Sequence, residues 1–114
     1  MRYARTVRER FYVYVVELRS QRLGDRTREV YVGSSALPPP LRFAKHLSGE
    51  TKASRHVRRR GVRLLPALYD HLNRTPITDR ERIKVLEQRL ADDLTRRGYR
   101  VYGSCKPTDP SCWL

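Results

Sequence analysis

Hydrophobic and aromatic positions early in the chain predict two strands. Residues 11–18 are rich in β-branched and aromatic side chains and contain no breaker. A polar stretch with a turn signal at residues 24–25 precedes a second such run at residues 29–33. The pattern predicts an antiparallel hairpin, in which Tyr12 and Tyr14 point to one side of the first strand.

The middle of the chain predicts short helices next to a rigid connector. A triple proline forms this connector, and proline is tolerated in the first turn of a helix, so we expect a short helix over residues 40–47. A second short helix is expected over residues 52–60, ending at Gly61. Residues 62–69 are a candidate third strand, which Pro66 would confine to an edge or a bulge.

The clearest helix precedes Gly98, which lies where a C-terminal cap belongs. Thr78 and Glu81 have the spacing of a capping box at its start. Four apolar residues recur between these ends at helical spacing: Ile83, Leu86, Leu90 and Leu94.

Taken together, the elements predict an α/β fold of the α+β type, with a small central antiparallel or mixed three-stranded sheet flanked by helices. Residues 99–102 are a candidate for a last strand. We expect a single domain over residues 1–104 and a C-terminal tail over residues 105–114. The two cysteines of the chain, Cys105 and Cys112, fall in that tail, and we expect them to be ordinary free thiols.

Charge changes the picture from fold to partner. The 114 residues include 25 Lys and Arg against 12 Asp and Glu, a formal net charge of +13. Basic side chains that release condensed counterions supply most nonspecific nucleic-acid affinity. Binding to an anionic membrane usually depends on a basic amphipathic helix with a wide apolar face, whereas these basic residues are scattered along the chain. We therefore expect nucleic acid as the partner and no membrane.

No apolar stretch approaches the ~20 residues that span a bilayer, and no signal-peptide core is evident near the start of the sequence. A cytoplasmic location is therefore expected. The sequence allows either a monomer or a homodimer.

Glu87 is the most informative candidate for chemistry. It lies about 20° from Leu94 and about 60° from Leu90 around the predicted helix, on the apolar stripe. An unpaired carboxylate is costly there. Either Glu87 is a core-edge residue paired with an arginine, or it is a carboxylate offered to a cation in a cleft.

Arg42 and His46 are four residues apart and share one face of a predicted helix. An arginine stabilises negative charge developing on a phosphate, and a histidine can act as acid, base or hydrogen-bond donor. A solvated basic face is the structural alternative. Tyr14 and Tyr31 fall on paired strands, where tyrosines also serve simply as buried rings with a satisfied hydroxyl.

The order of these residues resembles that of the GIY-YIG nucleases. Tyr12-Val13-Tyr14 and Tyr31-Val32-Gly33 resemble the two halves of the signature. Further along, residues 42–46 are similar to the Arg-x-x-x-His helix of the family, and residues 85–90 to the helix that carries its metal-binding glutamate. The resemblance extends from residue 12 to residue 94.

The resemblance implies a role for each of five residues. Tyr31 would activate or orient the attacking water, and Tyr14 would share its hydrogen-bond network. Arg42 would stabilise charge on the scissile phosphate, assisted by His46. Glu87 would hold one divalent cation, Mg²⁺ or Mn²⁺.

The resemblance therefore implies a divalent-metal-dependent endonuclease that hydrolyses DNA phosphodiester bonds. The alternative is a noncatalytic nucleic-acid-binding module on the same fold. A structural ribonucleoprotein subunit is a remoter third possibility.

Overall fold

The computed structural model describes residues 9–20, 24, 26–48 and 55–103. Within this part, four strands form one sheet: β1 (Tyr12–Leu18), β2 (Glu29–Ser35), β3 (Gly61–Leu64) and β4 (Arg100–Tyr102). The strand order is β3-β1-β2-β4. Strand β1 pairs antiparallel with β2 and β3, while β4 pairs parallel with β2.

Three α-helices accompany the sheet: α1 (Pro39–Ser48), α2 (Arg55–Arg60) and α3 (Arg80–Arg96). The expected α+β class and mixed sheet are confirmed. The expected count of three strands is wrong, because the candidate last strand pairs with β2 and adds a fourth. The predicted tail at residues 105–114, with both cysteines, lies outside the described residues, as does the predicted start of the second helix at residues 52–54.

The register of the hairpin determines which side chains share a face. Tyr14 lies opposite Gly33, and Val16 lies opposite Tyr31. Because directly opposed residues point to the same side, both tyrosines lie on one face of the sheet. Ser34 follows Gly33 and therefore points to the other face.

The candidate strand at residues 62–69 ends at Leu64, and two 3₁₀ turns follow it, Pro66–Leu68 and Asp70–Asn73. Pro66 explains the early end, because it has no N–H to donate to β1.

The edge of β1 beyond β3 is nevertheless satisfied. The Leu65 N–H donates to the Val15 carbonyl at 2.9 Å. The Asn73 amide then replaces a strand partner at Val13, accepting from its N–H at 3.0 Å and donating to its carbonyl at 2.8 Å. The Phe11 N–H finally donates to the Ile77 carbonyl at 2.8 Å. This edge therefore leaves no buried backbone group orphaned at these positions.

The ends of α3 correct one prediction and confirm another. The N-cap is Asp79, whose carboxylate accepts from the Glu81 N–H at 2.9 Å, and not Thr78. Aspartate caps at least as well as threonine, so the helix begins one residue later. At the other end Gly98 has φ +96°, and the N–H groups of Gly98 and Tyr99 bond back to Thr95 and Leu94, as in a Schellman motif.

The helices lie on opposite faces of the sheet. His46 of α1 hydrogen-bonds to Tyr14, and His56 of α2 packs on the ring of Tyr102, with centroids 4.8 Å apart. Helix α3 covers the other face, where its apolar stripe joins four fully buried valines of β1 and β2 in one core: Val13, Val15, Val30 and Val32. No helix in the described part of the chain is long and apolar enough to cross a membrane.

Candidate functional site

Three aromatic side chains form a buried group on the α1 face of the sheet, which we call the ring cluster: Tyr14, Tyr31 and His46. The ring centroid of Tyr31 lies 6.1 Å from the ring centroid of Tyr14 and 5.9 Å from that of His46. The Tyr14 hydroxyl lies 2.9 Å from Nε2 of His46. The hairpin brings the tyrosines together, and α1 delivers the histidine from the facing layer.

Two glycines leave the space that the ring cluster fills. A Cβ at Gly33 would lie 2.6 Å from the Tyr14 hydroxyl and 3.0 Å from the Tyr31 ring. A Cβ at Gly103, which has φ +86°, would overlap the other edge of the Tyr31 ring. The Tyr31 ring therefore lies in a slot between two residues that must be glycine, one in β2 and one just after β4.

Arg42, one turn before His46 on α1, also belongs to this group. Burial, the neighbouring Tyr31 and the Glu87 charge raise the pKa of Tyr14 well above its usual range, while the Arg42 charge and its hydrogen bond to the phenol act in the opposite direction. The Tyr14 phenol is therefore protonated at neutral pH. The charge of Arg42 acts on this phenol from the same side of the sheet, and the charge of Glu87 acts on it from the opposite side.

His46 is neutral at physiological pH. Burial, and then the adjacent Arg42 cation, lower its pKa from 6.5 to about 4. The cluster thus contains one fixed cation, Arg42, and an uncharged imidazole beside it.

The donor and acceptor roles follow from this protonation state. Arginine can only donate, so an Arg42 hydrogen bond to the Tyr14 oxygen would leave the single Tyr14 O–H to donate to Nε2 of His46. In that arrangement the neutral imidazole carries its proton on Nδ1. That Nδ1 and the Nε of Arg42 are buried and have no hydrogen-bond partner among the described residues. Two buried nitrogens at this site therefore have unused hydrogen-bonding capacity.

Glu87 is the acidic component, and it is only 2% exposed. Its Oε1 accepts a hydrogen bond of 2.6 Å from the Ser34 hydroxyl, and the Lys84 ammonium lies 3.6 Å from the same oxygen. Because Ser34 points to the α3 face, Glu87 approaches β2 from the side opposite the ring cluster.

The two halves of the site meet at residues 33–35 of β2. Strand β4 pairs only with Glu29–Tyr31, so it does not flank β2 beyond Tyr31. At this stretch Gly33 supports the tyrosines on one face and Ser34 holds Glu87 on the other. The charge of Glu87 acts on Tyr14 across this point.

The structure brings four of the five residues predicted from the sequence together on the α1 face of the sheet, namely Tyr14, Tyr31, Arg42 and His46. It places Glu87 on the opposite face, where Ser34 links it to β2. Sequence reasoning missed Gly103, whose only local signal is a glycine after a short strand. It also missed Lys84, which lies one turn before Glu87 on α3.

A divalent cation fits these residues only in one form. No group of three His, Cys, Asp or Glu side chains capable of holding a metal occurs among the described residues. The protein donors available at Glu87 are its carboxylate and the Ser34 hydroxyl. Magnesium is commonly held in this way, by one or two carboxylates with waters and substrate phosphates completing the shell.

Comparison of the chain with protein-family models, with curated proteins and with solved structures found no match in any of the three. The functional argument therefore depends on the residues and distances given above.

Proposed function

We propose that this protein is a divalent-metal-dependent endonuclease of the GIY-YIG type that hydrolyses DNA phosphodiester bonds. The supporting observation is that four side chains selected by motif meet on one face of the sheet, and that the fifth, Glu87, reaches β2 from the other face. A buried glutamate, a neutral buried histidine and a half-buried arginine with a buried Nε are costly in a small domain. Such costs cluster at functional sites.

Arg42 binds the scissile phosphate in this proposal. Its Nε is buried and has no hydrogen-bond partner among the described residues. A rotation of the half-buried side chain would let this nitrogen donate to a phosphate oxygen without breaking a bond of its own. The Nδ1–H of His46 is a second donor next to it. Prepositioned donors in a low-dielectric site stabilise the charge that develops in the transition state.

Tyr31 orients the attacking water through its hydroxyl. Tyr14 and His46 hold the ring from two sides, and Gly33 and Gly103 prevent it from moving away. Because burial raises the pKa of Tyr14 well above its usual range, Tyr14 keeps its proton and acts as a fixed support and not as a base.

Glu87, assisted by the Ser34 hydroxyl, would hold the cation on the opposite side of β2. A bound divalent ion would supply Lewis-acid stabilisation of phosphate charge. The Lys84 ammonium neutralises the buried carboxylate when no cation is present. Its side chain is 33% exposed, so it can swing into solvent.

One observation favours the second candidate, a noncatalytic nucleic-acid-binding module. Ser34 and Lys84 both contact Oε1 of Glu87. An ammonium in that position satisfies the charge that a metal would otherwise satisfy. This candidate predicts salt-sensitive DNA binding that is independent of divalent cations.

The proposal is tested by incubating the purified protein with supercoiled and single-stranded DNA and Mg²⁺ or Mn²⁺. We expect cleavage that EDTA abolishes. Glu87→Gln and Arg42→Ala should each reduce kcat by roughly 10²–10³-fold.

Exposed residues on α3 provide matched controls, Glu81→Gln and Arg89→Ala, and both should cut like the wild type. Cleavage that survives unchanged in Glu87→Gln would refute the site. Tight binding with no cleavage at any metal concentration would favour the module.

A further inference from the structure

A cavity of about 330 Å³ lies beside the proposed site, and the proposed mechanism does not use it. Its walls are mostly apolar and come from β1, the first turn of α1 and the region after β3. They include Tyr12, Pro39, Leu64 and the buried ring of Tyr69. Arg10 borders it, with its guanidinium 4.6 Å above the Tyr12 ring centroid.

The cavity is contiguous with the ring cluster along two elements. Tyr12 precedes Tyr14 by two residues on the same face of β1, a separation of about 6.6 Å along the strand. Pro39 precedes Arg42 by three residues, about 4.5 Å along α1. A group bound at Arg42 therefore has this cavity as its neighbour, one nucleotide step away.

The chemistry of the walls suits a flat, partly polar ring. Aromatic and arginine planes stack on any nucleobase, and here Tyr12 is half-buried with Arg10 over it. The Nε of Arg10 is buried without a hydrogen-bond partner among the described residues. Asp70, also in the wall, can accept from an exocyclic amino group. The volume of about 330 Å³ is large enough for one nucleobase.

We propose that this cavity binds an unstacked nucleobase next to the scissile phosphate, so that the enzyme acts on single-stranded or locally opened nucleic acid. The inference rests on the proposed function for the position of the phosphate. A base inside a duplex cannot enter, because it remains stacked between its neighbours.

The test is a scan with single-stranded oligonucleotides that carry one abasic site at successive positions around the mapped cut. In the wild type, one position adjacent to the cut should lower kcat/KM by roughly 5- to 140-fold, the effect of losing one stacked base. Tyr12→Leu, which keeps apolar bulk but removes the flat ring, should cause a similar loss on the intact oligonucleotide and abolish the abasic effect.

Tyr99→Leu is the matched control, because Tyr99 is also half-buried under an arginine, with Arg28 at 5.5 Å, but lies just before β4 and away from this cavity. It should retain the abasic effect in full. If Tyr12→Leu does not fold, Arg10→Ala removes the covering guanidinium and should reduce the same effect.

Binding of the same oligonucleotides, measured by fluorescence anisotropy without divalent cations, separates the two proposals. If no abasic position lowers cleavage or binding more than the others, the proposed nucleobase cavity is refuted, even if the protein cuts DNA. A position-specific abasic penalty in binding that Tyr12→Leu removes would support the cavity even if no strand is cut, and only the nuclease proposal would then fail.

Discussion

Two glutamates are buried among the described residues, Glu29 and Glu87, and their surroundings differ. The carboxylate of Glu29, at the start of β2, meets two guanidinium groups, Arg60 at 2.8 Å and Arg100 at 3.4 Å, and the Ser20 hydroxyl at 3.2 Å. Glu87 meets one hydroxyl and one ammonium, the latter at 3.6 Å on a flexible side chain.

A buried carboxylate can therefore either link elements of the fold or hold a charge for a ligand. The Glu29 carboxylate ties β2 to α2 and β4, because Arg60 and Arg100 belong to those elements. Glu87 bonds to a side chain of β2 and to its own helix. The first arrangement neutralises the charge firmly and stabilises the assembly. The second pairs the charge with an ammonium on a partly exposed side chain, which a ligand can displace.

The largest expected effect is on stability. Glu29→Gln leaves two arginines without their counter-charge, and we expect a loss of roughly 3–5 kcal/mol in the free energy of unfolding. Glu87→Gln should change it by about 1 kcal/mol or less, because Lys84 can move into solvent. Urea unfolding of both variants measures the difference. Equal losses would mean that the two carboxylates play the same structural role.

The next effect is the pH dependence that His46 contributes. The unfolded state binds more protons than the folded state between pH 6.5 and about 4, so this contribution is complete above pH 6.5 and is lost as the pH falls towards 4. The lowered pKa of His46 corresponds to roughly 3 kcal/mol in the free energy of unfolding. As the pH falls through this interval, His46→Gln should therefore lose roughly 3 kcal/mol less stability than the wild type.

The control for this measurement is the exposed His71, since His71→Gln should follow the wild-type curve. If the free energy of unfolding of the wild type and of His46→Gln fell equally between pH 6.5 and 4, His46 would be protonated as readily in the folded protein as in the unfolded chain.

The smallest expected effect concerns the slot around Tyr31. Gly103→Ala adds a methyl group where the ring lies and should lower kcat/KM about 10- to 100-fold by displacing Tyr31. Gly98→Ala is the matched control, because it has a similar positive φ but no atom within 4 Å of the added carbon. Both variants carry backbone strain of roughly 1–3 kcal/mol. If the two lose equal activity, strain alone explains the loss.

Local patterns in the sequence predicted most of the elements. The β-branched runs gave β1 and β2, and the apolar period with Gly98 gave α3. Strand alternation predicted that Tyr12 and Tyr14 share a face, and helical spacing predicted that Glu87 lies on the apolar stripe of α3, where the structure buries it. These properties depend on neighbours within a few residues, which the sequence displays directly.

The rest depends on contacts between distant residues. Asn73 acting as a strand partner for Val13, Glu29 meeting Arg100, and Gly103 closing on Tyr31 each join positions about 60 or more residues apart. No local period encodes such pairings. The choice of Asp79 over Thr78 as N-cap is a local error of one residue, within the usual uncertainty of helix ends.

Because β4 is the last of the described strands to be synthesised, the site around Tyr31 can be completed only late in translation. Arg42 and His46 leave the ribosome about 60 residues before Gly103, a delay of roughly 3–12 s at 5–20 residues per second. Until then the nascent hairpin lacks the second wall of the Tyr31 slot. The basic residues of a growing chain, Arg42 among them, are therefore exposed to the RNA around them before the proposed cleavage site can assemble.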